Sequence, residues 1–139
     1  MTTISTRTDY GIRVLAAIAE RGIDATVSLG TIAQEKKLPL RYIAQIAVQM
    51  KRAGLLTSKE GVGGGYRLAR PAQDIRVSDV FDALEGQVLP LQCEVDHANR
   101  RYCTDKEHCT SYRLWLQLRV QMQDLLSRTT IASLATANA

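Results

Sequence analysis

The sequence predicts a mainly α-helical fold with a small β-hairpin wing: a winged helix-turn-helix followed by a long C-terminal dimerisation helix. Three observations predict it. Residues 40–53 repeat apolar side chains at helical spacing directly after Pro39. "KEGVGGGYRLARP", residues 59–71, sets four glycines in five positions between two short strand-like runs. Residues 112–128 form a helical stretch with more apolar surface than one small domain can cover.

The elements follow in order. "TDYGIRVLAAIAE", residues 8–20, places Tyr10, Val14, Ala17 and Ile18 at helical spacing, with Thr8 as the expected N-cap. Gly22 and "IDATVS" end that helix. Ser28 precedes "LGTIAQEKK", in which Leu29, Ile32 and Ala33 form a short apolar stripe. Pro39 cannot continue that helix but fits the first turn of the next. In the next, Ile43, Ile46, Ala47 and Met50 make one apolar face at i, i+3, i+4 and i+7, and Gly54 closes it. Two short helices around a tight turn, the second polar and basic outward, form a helix-turn-helix.

"LLTSK" and "GYRLAR" read as strands flanking the glycine tip. A phosphate-binding loop would need a helix after its glycines and, in its Walker form, a Lys–Ser/Thr pair. A strand follows here and the pair is absent, so the glycines belong to a wing. They let the wing, Gly64 included, lie close to a nucleic-acid backbone. "IRVSDVFDALEG" gives a further helix with Ser78 as expected N-cap, Val80, Phe81 and Leu84 inward, and Gly86 as the stop. In residues 112–128, Trp115, Leu118, Met122 and Leu125 share a stripe, and Leu114, Leu116, Val120 and Leu126 spread apolar surface around the helix. That predicts a homodimer through this helix. "ASLATANA" at the end is expected to fray. The division is 1–86 DNA-binding domain, 87–111 cysteine-bearing loop, and 112–139 dimerisation helix and C-terminal tail.

Bulk properties agree with one domain of 139 residues, 45% hydrophobic and 23% charged. No apolar run approaches a membrane span and no secretion signal opens the chain, so a cytoplasmic protein is expected. The net charge of +4 is uneven: residues 1–70 carry 11 Lys/Arg against 5 Asp/Glu, and residues 71–139 carry 7 against 9. A basic front suits a face laid on a polyanion. There is no nucleophile–base arrangement, and a cysteine near His108 lacks an orienting group, so an enzyme is not expected.

"TDYGIR", "KRAGLL", "GVGGGYRLARP" and "VSDVFDALEG" together resemble the Rrf-two family of winged-helix transcription regulators, the group of IscR, NsrR and RirA. The likeness spans nearly the whole chain. It implies a dimeric DNA-binding repressor, in many members carrying an iron–sulfur cluster on a cysteine loop before the dimer helix.

With residues 40–53 as recognition helix, Arg41 is placed to reach a guanine edge or a phosphate, and Gln45 an adenine edge. Gln49 and Arg52, further along, are expected to hold phosphates. Tyr42 has two readings: its hydroxyl meets the DNA backbone, or its ring packs under the helix. Similar regulators often place a basic residue just before the wing glycines; here Glu60 stands there, leaving Lys59 and Arg67 for backbone contact. The expected target is double-stranded DNA with an inverted repeat.

Cys93, Cys103 and Cys109, separated by nine and five residues, lie in a polar segment, which points to a metal, a cluster or redox chemistry. The resemblance favours an iron–sulfur cluster, of two or four irons. Clustered relatives usually show two five-residue gaps, so this loop has four extra residues. Some relatives place a histidine ligand three residues beyond the last cysteine, where Tyr112 stands here. Others with a "TDYG" opening use an aspartate of the partner subunit, which Asp9 matches; Asp9 equally suits the positive end of a helix. His97 and His108 are rival ligands or solvated loop residues. A zinc or thiol-redox switch on the same scaffold, or no cofactor, is the alternative, and a winged helix that binds only protein is another.

Overall fold

The computed structural model describes residues 5–86 and 107–137. Its elements are α1 (Thr6–Ala19), α2 (Leu29–Lys36), α3 (Leu40–Arg52), β1 (Leu56–Lys59), β2 (Gly65–Leu68), α4 (Val77–Leu84), α5 (Tyr112–Arg128) and α6 (Ile131–Ala137), with a 3₁₀ turn at Ala72–Asp74. The mainly helical fold with a two-stranded hairpin is the one the sequence predicts.

The core forms where the periodic residues meet. Val14, Ala17 and Ile18 of α1, Ile32 of α2, and Ile43, Ile46, Ala47 and Met50 of α3 are all buried in one cluster with Val80 and Leu84 of α4. Phe81 is only half-buried and stands outside that cluster. Gly11 lets α4 press against α1: a Cβ there would lie 2.7 Å from Leu84 Cδ1.

Three local expectations are corrected. The N-cap of α1 is Ser5, whose Oγ accepts from the Arg7 backbone N–H at 3.2 Å. Thr8 is fully buried instead, and its hydroxyl donates to Glu85 Oε1 at 3.1 Å, joining α1 to the end of α4. The N-cap of α4 is Arg76 rather than Ser78, and the Asp79 carboxylate accepts from the Arg76 backbone N–H at 2.9 Å. Of the segment expected to fray, residues 132–137 lie in α6, which packs on α1 with Ile131 and Ala135 buried, and residues 138–139 lie outside the described residues. The Val77 N–H donates to the Thr129 carbonyl and the Ile131 N–H to the Ile75 carbonyl, both at 2.9 Å.

Pro39 occupies the N-cap of α3, one residue ahead of its expected place, and its carbonyl accepts from Ile43 at 3.0 Å. The turn before it is built by Lys37 in the left-handed region, φ 54°. β1 and β2 pair antiparallel with Leu56 opposite Leu68 and Lys59 opposite Gly65. Val27 adds a bridge to Tyr66, exchanging hydrogen bonds of 2.8 and 2.7 Å. That bridge needs Gly65, where a Cβ would stand 2.3 Å from the Val27 carbonyl oxygen.

Candidate nucleic-acid interface

α3 offers a face that the core does not use. Taking the buried side chains as its inner face, at about 100° per residue, Arg41, Gln45, Val48 and Arg52 point outward. All four are exposed. Among the described residues, Arg41, Gln45 and Arg52 make no side-chain hydrogen bond or ion pair.

Gln49 and Tyr42 lie on one flank of that stripe. Gln49 accepts from the Arg7 guanidinium, and both line an open cleft of about 450 Å³ with Arg52 and Asp82. Tyr42 is half-buried, its ring edge-on to Tyr10 at 5.7 Å between centroids. The ring therefore packs between α3 and α1. On the other flank Lys51 Nζ donates to Ser58 Oγ at 2.6 Å, tying α3 to β1.

In the wing, strand alternation puts Thr57, Lys59 and Arg67 on one face, with Arg67 Nε donating to Thr57 Oγ1 at 3.1 Å. The tip turns through Gly61 and Gly63, both left-handed, and Val62 between them is fully exposed. Gly64 is half-buried and required internally: a Cβ there would lie 2.3 Å from the Lys59 carbonyl oxygen. Wing glycines therefore shape the loop before they admit any ligand.

The electrostatics separate two sets of cations. Arg13, Arg21, Lys36 and Arg70 pair with Asp9, Glu35, Glu20 and Asp79. Arg41, Lys51, Arg52, Lys59 and Arg67, the cations of α3 and the two strands, have no carboxylate partner among the described residues. Uncompensated charge of this kind on α3 and the hairpin is what a phosphate backbone attracts. Arg7 joins this edge only because α1 packs on α3; 42 residues separate it from Gln49, and no local pattern signals the contact.

Of the thiols, Cys109 is half-buried just ahead of α5, its Sγ 3.6 Å from Ser111 Oγ. Cys93, Cys103 and His97 lie outside the described residues. Asp9 is in the exposed first turn of α1, 3.9 Å from an Arg13 guanidinium nitrogen.

A helix-turn-helix with an unpaired basic outer face, braced by a glycine-tipped hairpin, defines a winged-helix DNA-binding transcription regulator. The chain belongs to the Rrf2 family, iron-dependent transcriptional regulators, whose model matches residues 4–137. It is 34% identical over 131 residues to Protein rrf2 of Nitratidesulfovibrio vulgaris strain Hildenborough, covering 94% of this chain and 85% of that protein. It is 31% identical over 133 residues to the transcriptional regulator IscR of Cereibacter sphaeroides, covering 94% and 85%. The structure of CymR, the global cysteine regulator of B. subtilis, superposes with a TM-score of 0.80 at 28% identity, covering 99% of this chain and 98% of CymR. The resemblance drawn from the sequence is thereby confirmed, and the family's members are regulators, not enzymes. No helix among the described residues is long and apolar enough to cross a membrane.

Proposed function

We propose that this protein is a dimeric repressor that reads an inverted-repeat operator and releases or redirects DNA according to an iron–sulfur cluster. The observation that carries the DNA-reading half is the outward stripe of α3, where Arg41, Gln45 and Arg52 stand without partners beside the uncompensated wing cations. Arg41 reads a base edge and Gln45 an adjacent one, while Gln49, Arg52, Lys59 and Arg67 hold phosphates. Two copies joined through α5 repeat this contact about one helical turn, or a multiple, apart.

Arg41→Ala is expected to weaken operator binding about 5- to 100-fold per half-site while hardly changing binding to random DNA. Lys59→Ala lowers both alike and reduces the salt slope by about one. Fluorescence titrations on operator and random duplexes at several salt concentrations check this. Equal losses on both duplexes for Arg41→Ala would remove its base-reading role.

The donor set fits a cluster: three soft thiols gather in one polar segment, and Cys109 abuts the start of the helix assigned to dimerisation. Cys93, Cys103 and Cys109 would hold it, with Asp9 supplied by the partner subunit. When bound, a cluster supplies a centre sensitive to oxygen, nitric oxide and iron supply. What this chain contributes is mechanical: ordering Cys109 fixes the start of α5, and α5 sets the separation of the two recognition helices. A thiol or zinc switch on the same scaffold is the second reading; the likeness to the oxidized form of Staphylococcus aureus CymR favours the thiol.

Anaerobic purification with visible absorption, iron and sulfide analysis tests the assignment. A brown protein with stoichiometric iron and sulfide is expected. A colourless protein that resists reconstitution yet binds an inverted repeat rejects the cluster and leaves the switch. Alanine at all three cysteines with unchanged DNA affinity and specificity would reject both.

A further inference from the structure

Val48 is an apolar residue in the middle of the reading face, 43% exposed. It shares the outward stripe with Arg41, Gln45 and Arg52. Within the chain it has no obvious reason to be valine. Its side chain is not in the core, and a β-branched residue loses rotamer freedom in a helix that alanine or lysine would not.

Its position supplies the reason. A helix laid in the major groove meets base edges from residues at i, i+3, i+4 and i+7. Counted from Arg41, that set is Arg41, Ala44, Gln45 and Val48. Arg41 and Gln45 offer polar groups, and Ala44 is half-buried with only a methyl. Val48 is the one member that presents exposed apolar surface. The single base-edge group in the major groove that such a side chain complements is the thymine C5-methyl. Arg52, one turn on, and Lys51 beside it place the isopropyl against a polyanion rather than an apolar protein surface.

We infer that Val48 determines specificity by packing on a thymine methyl in each operator half-site. The contact falls about three base pairs from the one made by Arg41, given the helix rise and base-pair spacing. The inference rests on the DNA-reading role of α3 proposed above.

The test begins by selecting duplexes from a random pool with the wild-type protein, then replacing each conserved thymine by deoxyuridine, which removes only the methyl. At one symmetric thymine pair the replacement weakens wild-type binding by about fourfold per methyl and about fifteenfold for both half-sites. Val48→Ala loses a similar factor on the thymine operator and becomes indifferent to deoxyuridine at that pair. An exposed site makes misfolding of this variant a minor concern, and an unchanged melting temperature checks it. If an operator is selected but no thymine couples to Val48, the inference is overturned while DNA reading by α3 stands. If no sequence is enriched, the DNA-reading role fails and takes this inference with it.

Discussion

The wild type is expected to sediment as a dimer and a protein carrying Leu118→Glu and Leu125→Glu as a monomer, which binds the proposed inverted repeat about 10²–10⁴-fold more weakly. The expectation follows from how little of α5 the chain itself covers. No residue of the helix is buried, and Leu114, Trp115, Leu118, Val120 and Leu125 stand between 40% and 61% exposed. Tyr112, Leu116, Met122 and Leu126 are half-buried, and α5 makes its packing contacts with α4. Among the described residues, the remaining apolar side chains stand uncovered. Full burial of a leucine contributes about 1.5–3 kcal/mol, and a two-fold axis counts each such residue twice.

Two glutamates per chain replace that gain with like charges facing each other across the axis. Each half-site is then bound alone, without the effective concentration that a linked partner provides. Because both leucines are exposed within the chain, the winged domain keeps its helicity and melting behaviour. Analytical ultracentrifugation with circular dichroism separates the cases: a folded variant that still sediments as a dimer would move the dimer interface off α5.

The parts legible in the sequence are those governed by local rules. The face Ile43–Ile46–Ala47–Met50 is read from spacing alone and is buried as read. Gly54 ends α3 in the left-handed region, as its position after the last periodic residue predicts. The hairpin is legible from its glycines, although what they accommodate, Val27 behind Gly65 and Lys59 behind Gly64, comes from distant or folded-back backbone. Hydroxyl residues misplace two caps because the rule that selects them sees only neighbours. Thr8 has the right chemistry for a cap, but Glu85 claims its hydroxyl once α4 packs on α1. Arg41, Gln45 and Arg52 are legible as outward positions; that they lack carboxylate partners is not, since Arg21 and Arg70 look equally basic in the sequence and are paired.

The C-terminal helix shows the same limit with a larger consequence. "ASLATANA" is short, small and polar enough to read as a fraying end, since an isolated helix as short as the seven residues of α6 is unstable in water. It is helical because the chain docks it. Ile131 is fully buried in the main core cluster, its N–H bonded to Ile75, and an antiparallel bridge joins Arg76 to Thr130. These contacts hold the end of α5 against the start of α4, so α5 is fixed to the winged domain at its C-terminal end whatever happens at Cys109.

Ile131→Ala is therefore expected to cost about 2–5 kcal/mol, by lost burial and the cavity left between α6 and the core. In a domain of this size that lowers the melting temperature by roughly 5–20 °C. The α5 face assigned to dimerisation is untouched, so the folded variant still sediments as a dimer below its transition. This is the reverse of the Leu118 and Leu125 pair, which loses the dimer and keeps the fold. A melting temperature unchanged by Ile131→Ala, read by circular dichroism, would return residues 131–137 to a frayed tail. It would also leave α5 held to the winged domain mainly by its contacts with α4, and would remove the proposed fixed separation of the two copies of α3.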